Sequence, residues 1–269
     1  MERQVEVDNA AIHLIECGSG PSILFLHGNP DSGDLWIPVM DRLEPEFRCF
    51  APDLPGFGRS KAPPNFDCSL QQMAAFVEGL VDAARIPLPL HVVVHDFGGP
   101  FGMAWAVTHR EQVKSLCVMN STFFSDFHWH FWARIWRTPL LGELSLATMN
   151  WPLFRHEMQR GSRKLTEEQM RHTYKNVTPA LKRMVLRLYR ATDPANFRGW
   201  EGQLLELISQ IPTLVLWGDR DPYISPRYAE RFGAARVVHY PECGHWVPLE
   251  ESDSVAAELG AHVSHAQGL

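Results

Sequence analysis

The sequence predicts an α/β protein with a mostly parallel central sheet, flanked by helices and carrying an inserted helical cap. Two observations carry this prediction. Short apolar runs alternate with helical patterns through the first half of the chain, as expected for right-handed βαβ units with parallel strands. From about residue 122 to about residue 205 the pattern is helical, rich in Trp, Arg and Met, and strand patterns then return. The helical block is therefore inserted between two strands of one sheet.

The elements follow in order along the chain. An opening β-hairpin is predicted around the Asp8-Asn9 turn, from residues 5–7 and 11–16. Continuous apolar runs predict strands buried on both faces, at residues 22–26, 47–51, 91–95 and 113–120. Helical spacing predicts helices at residues 69–84, with Ser69 as N-cap, and at 98–108. After the helical block we expect two strands and a last helix, at residues 213–217, 235–240 and about 252–262.

This order of elements also predicts the domain organisation. The core is expected to comprise residues 1–121 and 206–269, and the cap residues 122–205. A chain of 269 residues suits one α/β domain with an insertion. Because open α/β sheets bind ligands at the carboxyl ends of their strands, we expect the cap to cover that edge.

Composition narrows the classes of function. The chain has 45% hydrophobic and 21% charged residues, typical of a soluble globular protein. Its net charge of −6 argues against nucleic acid as a partner, because phosphate binding needs a clustered basic surface. The N-terminus lacks a signal-peptide pattern, and no run approaches the roughly 18 apolar residues of a membrane span. We therefore expect a cytoplasmic monomer or homodimer without a membrane partner.

Cysteine and histidine spacing gives no sign of a metal or cofactor. The five cysteines are scattered and include no Cys-x-x-Cys pair, which predicts neither a disulfide framework nor a zinc site. His128 and His130 have no third ligand at suitable spacing. The expected partners are a small apolar substrate and water.

The clearest chemical feature is Asp96. The buried strand pattern Val92-Val93-Val94-His95 runs directly into Asp96, and Phe97-Gly98-Gly99-Pro100 then opens a helix. This is the context of a nucleophile elbow, with Asp96 at the position that serine holds in Gly-x-Ser-x-Gly. Val94 replaces the first glycine of that motif. The alternative, an aspartate that only caps the helix, does not account for the partners described next.

Three further segments supply those partners. His27-Gly28-Asn29-Pro30 follows the strand at 22–26, and this loop is expected to contribute the Asn29 N–H to an oxyanion hole whose second donor is the Phe97 N–H. His245 follows the last strand and is predicted to be the general base rather than a structural histidine.

The acidic partner of His245 is expected in Gly218-Asp219-Arg220-Asp221-Pro222, after the strand at 213–217. Two aspartates compete for this role, and Asp219 could simply stabilise the turn. We predict that Asp221, further round the loop, is the acid. The order nucleophile, acid, base is that of α/β-hydrolases.

Taken together, these motifs resemble the haloalkane dehalogenase and epoxide hydrolase branch of the α/β-hydrolase superfamily. The resemblance rests on His-Gly-Asn-Pro with Trp36 downstream, on Ala-Pro-Asp-Leu-Pro-Gly-Phe-Gly-Arg-Ser at residues 51–60, and on Val-His-Asp-Phe-Gly-Gly. It covers essentially the whole core. It implies an α/β-hydrolase fold in which Asp96 forms an alkyl ester and His245 activates the water that hydrolyses it.

The resemblance leaves the leaving group open. In haloalkane dehalogenases the residue after the nucleophile is typically a Trp whose indole N–H holds the departing halide. Here that residue is Phe97, whose ring has no N–H donor. Asn29 matches the asparagine that supports halide in part of the family. A cap tryptophan could add a donor, since Trp129, Trp132 and Trp136 are predicted to share one helix face. The alternative is that these three tryptophans only pack the cap onto the core. Trp246, next to His245, is also predicted to line the substrate pocket.

Epoxide hydrolases resemble the chain in another way. Leu188-Tyr189-Arg190 is similar to the Tyr-Arg motif late in their cap, where the tyrosine protonates the epoxide oxygen. They usually use two tyrosines, and the early cap contains none; Tyr174 is a substitute for the second without a motif behind it. The sequence therefore predicts a haloalkane dehalogenase-like hydrolase, with epoxide hydrolysis as the alternative. A β-lactone-opening relative and a non-catalytic ligand binder on this fold are further alternatives.

Overall fold

A single sheet organises the computed structural model, which describes residues 1–268. Within these residues eight strands are present: β1 (Glu2–Val7), β2 (Ala10–Cys17), β3 (Ser22–Leu26), β4 (Arg48–Pro52), β5 (Leu90–His95), β6 (Val113–Met119), β7 (Thr213–Gly218) and β8 (Arg236–Tyr240). Their order in the sheet is β1-β2-β4-β3-β5-β6-β7-β8. The pairs β1–β2 and β2–β4 are antiparallel, and the pairs from β4–β3 to β7–β8 are parallel. The expected mostly parallel sheet is confirmed.

Helices flank this sheet and fill the interval between β6 and β7. They are α1 (Ile37–Leu43), α2 (Leu70–Ala84), α3 (Gly98–Thr108), α4 (Phe131–Arg137), α5 (Leu141–Ala147), α6 (Trp151–Gly161), α7 (Glu167–Tyr174), α8 (Pro179–Ala191), α9 (Trp200–Ile208), α10 (Val247–Glu250) and α11 (Ser252–Gln267). In the part of the chain described, no helix is both long and apolar enough to cross a membrane.

Two buried clusters hold the layers together, one on each face of the sheet. Helices α2, α3 and α9 pack over one face, and α1 and α11 cover the other. The central strands β3 and β5 are buried along their whole length, as their continuous apolar sequences predict. This arrangement leaves the carboxyl ends of the strands facing the helices that follow β6.

Local sequence signals explain the elements that they predicted. Asp8 and Asn9 have φ values of 49° and 61°, the left-handed conformation that a two-residue hairpin turn requires. The side chain of Ser69 accepts a hydrogen bond from the Gln72 N–H at 3.2 Å, which caps α2 as expected. Strand and helix positions agree with the sequence pattern, although α11 runs to Gln267, further than residue 262.

The helical block between β6 and β7 needs one change to the expected boundary. The limit between residues 205 and 206 falls inside α9, which packs on α3 and buries Leu204 and Leu207 in the core. Helical periodicity cannot distinguish a cap helix from a core helix, which explains the difference. We propose that the cap ends before Trp200 and that α9 belongs to the core.

Candidate active site

Asp96 stands on a sharp turn between β5 and α3. Its φ of 47° is unusual for a residue with a side chain and marks local backbone strain. Two glycines make room for the turn. A Cβ on Gly98 would lie 2.1 Å from the Leu26 carbonyl oxygen, and one on Gly28 would lie 2.2 Å from Asp96 Oδ1. The sequence therefore builds an elbow that only glycine at these two positions permits.

Two backbone N–H groups lie close to the Asp96 carboxylate. The Asn29 N–H donates to Oδ1 at 2.8 Å, and the Phe97 N–H lies close enough to the carboxylate to lower its pKa. The Ser121 hydroxyl donates to the Asp96 carbonyl oxygen at 2.6 Å, which holds the turn from β6. The two donors predicted for an oxyanion hole thus lie together at this carboxylate.

His245 faces the same carboxylate from the loop after β8. Its Nε2 lies 3.6 Å from Asp96 Oδ2, and its Nδ1 lies 2.7 Å from Asp221 Oδ2. The backbone N–H of His245 donates to the Gly161 carbonyl oxygen at 2.9 Å, which connects this loop to the end of α6. The structure brings Asp96, His245 and Asp221 into one line, in which His245 hydrogen bonds to Asp221 and lies within ion-pair distance of Asp96.

The competing aspartates are separated by the structure. Asp221 is buried, and its carboxylate accepts hydrogen bonds from the Asn120 side chain at 2.8 Å and from the Tyr223 N–H at 2.7 Å. Asp219 lies at the surface, 2.5 Å from His239 Nδ1. Of the two aspartates, only Asp221 contacts His245. Asn120 is a supporting residue that the sequence did not indicate.

The surroundings of these three residues favour the charged forms of His245 and Asp221, whereas burial works against the charge of Asp96. Burial disfavours the imidazolium of His245, but the charge and hydrogen bond of Asp221, followed by the charge of Asp96, outweigh it and raise the pKa of His245 to about 9. Burial likewise opposes the Asp221 anion, yet His245 beside it lowers the pKa of Asp221. Burial raises the pKa of Asp96, while His245 and the two N–H donors act in the opposite direction.

A largely apolar cavity of about 110 Å³ opens above Asp96 and His245. All six residues predicted for the pocket line it, namely Asn29, Trp129, Trp132, Trp136, Tyr189 and Trp246. Further apolar side chains come from the cap and the core, among them Phe127, Phe154, Met158, Leu181, Val185 and Ile224. Tyr174 instead packs against Trp151 and Phe154.

The expected helix face of tryptophans is wrong for Trp129. Helix α4 starts at Phe131, and His130 is its N-cap, so Trp129 precedes the helix. It still lies in the cavity, where it stacks on Phe97 with ring centroids 6.0 Å apart. Spacing alone could not show that the helix begins after Trp129, because His130 is an uncommon cap.

Three polar residues at or near the cavity were not predicted as site residues. His130 Nδ1 accepts the Ala133 N–H at 3.3 Å, which leaves the proton on Nε2, and burial lowers its pKa to about 4. Glu157, on α6, lines the cavity and accepts a hydrogen bond from the Tyr223 hydroxyl at 3.0 Å. Asp31 is buried beside Trp246. Of the three, only Asp31 had a sequence signal, since it directly follows His-Gly-Asn-Pro.

Comparisons with known proteins identify the fold family of the chain. The model of the alpha/beta hydrolase fold family matches residues 21–252. Haloalkane dehalogenase 2 of Mycobacterium tuberculosis is 26% identical over 96% of this chain and 93% of that protein. A cis-3-alkyl-4-alkyloxetan-2-one decarboxylase of Xanthomonas campestris is 28% identical over 88% of this chain and 85% of that protein.

The fold is also that of a solved structure. Haloalkane dehalogenase DbeA from Bradyrhizobium elkani superposes with a TM-score of 0.83 at 23% identity, covering 100% of this chain and 99% of that one. The strand order, the sharp turn at Asp96 and the family match over residues 21–252 all indicate the same fold. The chain therefore belongs to the alpha/beta hydrolase fold family, and it resembles the haloalkane dehalogenase branch of that family.

Proposed function

We propose that this hydrolase acts through an alkyl ester on Asp96 and that it is haloalkane dehalogenase-like, displacing halide from a small apolar substrate. One observation carries the proposal: the Asp96 carboxylate lies between the Asn29 and Phe97 N–H donors and His245. A nucleophile that ends in a carboxylate attacks carbon without first losing a proton. The apolar lining of the cavity suits a substrate without charge.

In the first step an Asp96 oxygen forms a bond to the substrate carbon, and the carbon–halogen bond breaks with its electron pair on the halide. The imidazolium of His245 favours the ionised nucleophile before this step. Esterification removes the negative charge of Asp96. Because that charge helps to raise the pKa of His245, its loss lowers the pKa, the imidazolium gives up its proton to solvent, and the neutral imidazole can act as a base.

In the second step His245 Nε2 takes a proton from water, and the hydroxide adds to the carbonyl carbon of the ester. The Asn29 and Phe97 N–H groups are placed to stabilise the resulting oxyanion. Collapse of this intermediate regenerates the Asp96 carboxylate and gives the alcohol, which takes its proton from the imidazolium. Asp221, buried against Nδ1, stabilises the imidazolium meanwhile.

Halide release would use donors other than the residue after the nucleophile. Phe97 has no polar hydrogen on its ring, but the Asn29 carboxamide lines the cavity beside it. The indole N–H of Trp129, stacked on Phe97, has no hydrogen-bond partner within residues 1–268. We propose that these two groups hold the departing halide.

Epoxide hydrolysis is the second candidate, and Tyr189 favours it. Its phenol lies near the Asn29 side chain and the Asp96 charge, and burial keeps it protonated by raising its pKa well above the ordinary value. The His130 ring meets Tyr189 edge-on at 6.0 Å and has its Nε2 proton available. These groups could protonate an alkoxide as an epoxide opens.

A trapping experiment tests the ester mechanism and a substrate panel then chooses the leaving group. His245→Gln should accumulate a covalent adduct on Asp96, identified by mass spectrometry of the digested protein. The panel should contain bromoalkanes, a styrene-oxide-type epoxide and a dialkyl β-lactone, with halide, diol and carbon dioxide measured in parallel. A substrate that wild-type protein turns over but that leaves no adduct on the variant would show that the two-step mechanism is wrong.

A further inference from the structure

Asp31 places a buried carboxyl group next to the candidate active site. It lies two residues after Asn29 on the loop that follows β3, and only 3% of the residue is exposed. Its Oδ2 accepts the indole N–H of Trp246 at 2.9 Å, and its Oδ1 lies 3.4 Å from the Thr173 hydroxyl on α7. Within residues 1–268 no Lys or Arg pairs with it. Burying a carboxyl group without a cationic partner costs folding free energy, so its presence here indicates a role.

The contact to Trp246 leads directly to the proposed base. Trp246 follows His245, and its indole meets the imidazole edge-on with ring centroids 5.0 Å apart and planes at 88°. The Asp31–Trp246 hydrogen bond therefore joins the loop that carries the Asn29 donor to the loop that carries His245. These two loops are more than two hundred residues apart in the sequence, and both must be positioned for ester hydrolysis.

The charged groups that face Asp31 are few. His245 comes from the loop before α10, and Asp96 comes from the elbow. Helix α7 presents only the neutral hydroxyl of Thr173, because the neighbouring His172 turns to Asp34. The imidazole is therefore the one cationic group that an ionised Asp31 can stabilise in the described part of the chain.

We propose that Asp31 is a positioning residue for His245, which orients the imidazole through Trp246 and stabilises its protonated form with a second buried carboxylate. The inference rests on the proposed function, since it assigns Asp31 to the hydrolytic step. Asp221 touches Nδ1 directly, whereas Asp31 acts across the Trp246 indole. Asp221 is therefore a direct hydrogen-bond partner of His245, and Asp31 an indirect one.

The titration of Asp31 is then linked to that of His245. Burial raises the pKa of Asp31 to about 7, while the Trp246 hydrogen bond and the charge of His245 oppose this. The charge of Asp31 in turn contributes to the raised pKa of His245. Replacing Asp31 by a neutral residue should therefore lower the pKa of His245. The imidazole would become available as a base at lower pH, but its protonated form would be less stable in the transition state.

The test uses Asp31→Asn, whose side-chain oxygen can still accept the Trp246 N–H. The pKa of His245 is followed by NMR of its imidazole in the free protein, a readout that does not require turnover. We expect Asp31→Asn to lower this pKa by about one unit. Asp34→Asn is the matched control, since Asp34 lies on the same loop but pairs with Arg59 and His172 at the surface. An unchanged His245 pKa in Asp31→Asn would overturn the proposal.

Kinetics add a second readout. In single-turnover experiments we expect the acid limb of ester hydrolysis to move to lower pH, the maximal hydrolysis rate to fall about tenfold, and the alkylation rate to stay within twofold. A purely structural anchor would leave the pH profile in place. If Asp31→Asn does not fold, Trp246→Phe keeps Asp31 and removes the indole N–H together with part of the ring; it should lower the His245 pKa by a smaller amount, and no change would overturn the proposal. The adduct on Asp96 in His245→Gln tests the proposed function separately, because it forms whether or not Asp31 acts on His245.

Discussion

Asp221 Oδ2 lies 2.7 Å from His245 Nδ1, and this contact decides which nitrogen of His245 can act as a base. An ionised carboxylate can only accept a hydrogen bond, so the proton of the neutral imidazole is held on Nδ1. The lone pair is then on Nε2, which faces Asp96 at 3.6 Å. Asp221 therefore fixes the tautomer that ester hydrolysis needs.

Replacing Asp221 tests this role. Asp221→Asn keeps the shape of the side chain but removes the charge and the requirement for a proton on Nδ1. We expect kcat to fall roughly 10³- to 10⁴-fold with a bromoalkane, with ester accumulating on Asp96 because the second step is slowed. Asp219→Asn is the control, since Asp219 contacts His239 at the surface, and its kcat should stay within twofold. Equal losses in the two variants would contradict the assignment.

Tyr189→Phe separates the two candidate leaving groups. It removes the phenolic proton donor and leaves the ring contacts with Phe97 and Trp136 in place. If the protein opens epoxides, we expect the rate of alkylation by styrene oxide to fall roughly 10²-fold or more. Debromination should be nearly unchanged, because the halide is proposed to use Asn29 and Trp129. Tyr174→Phe, outside the cavity lining, should alter neither rate; a loss of epoxide opening there would show that the wrong tyrosine is assigned.

The site could be predicted from the sequence where each residue follows the end of a strand. Asp96 directly follows β5, His245 and Asp221 lie in the short loops after β8 and β7, and parallel strands bring their carboxyl ends to one edge. A short segment of sequence thus carries both the strand and the functional residue. The loop with Asn29 was predictable on the same ground.

The cap and the contacts beside the site were much less predictable, since they depend on packing between distant segments. Tyr223 and Glu157 are 66 positions apart, and Asp31 and Trp246 are 215 apart. No local pattern records such pairs. The start of α4 depended on His130 as its cap, and the assignment of α9 depended on which helix it packs against. In both places the helical spacing correctly predicted a helix, but it could not show where α4 begins or which helix α9 packs against.

Tyr223→Phe tests whether the cap is held to the core at the cavity. The Tyr223 hydroxyl, on the loop after β7, donates to Glu157 Oε1 on α6 at 3.0 Å. We expect its loss to destabilise the protein by about 1 kcal/mol, to speed amide hydrogen exchange in α6 and to change KM more than kcat. Tyr240→Phe is the matched control, because its hydroxyl contacts Ser254 at 3.1 Å within the core. Equal exchange of α6 in both variants would contradict a link between cap and core.

His91 should make the protein sensitive to acid. It is buried between Ser115 and Gln267, and burial, with the charges of His262 and Lys114, lowers its pKa to about 4. As pH falls below about 6.5 the unfolded chain takes up a proton that folded His91 does not. The stability from this site is therefore present above pH 6.5 and is lost as pH falls toward 4. Between pH 7 and pH 5 the loss is about 2 kcal/mol.

Urea unfolding at the two pH values measures this loss. His91→Asn can still bond to the Ser115 hydroxyl but cannot be protonated, so its free energy of unfolding should fall by about 2 kcal/mol less than that of the wild type. Ser115→Ala removes the same hydrogen bond and keeps the titrating ring, so it should retain the wild-type pH dependence even if it is less stable at pH 7. A His91→Asn variant with an unchanged pH dependence would show that the buried ring does not contribute to acid sensitivity.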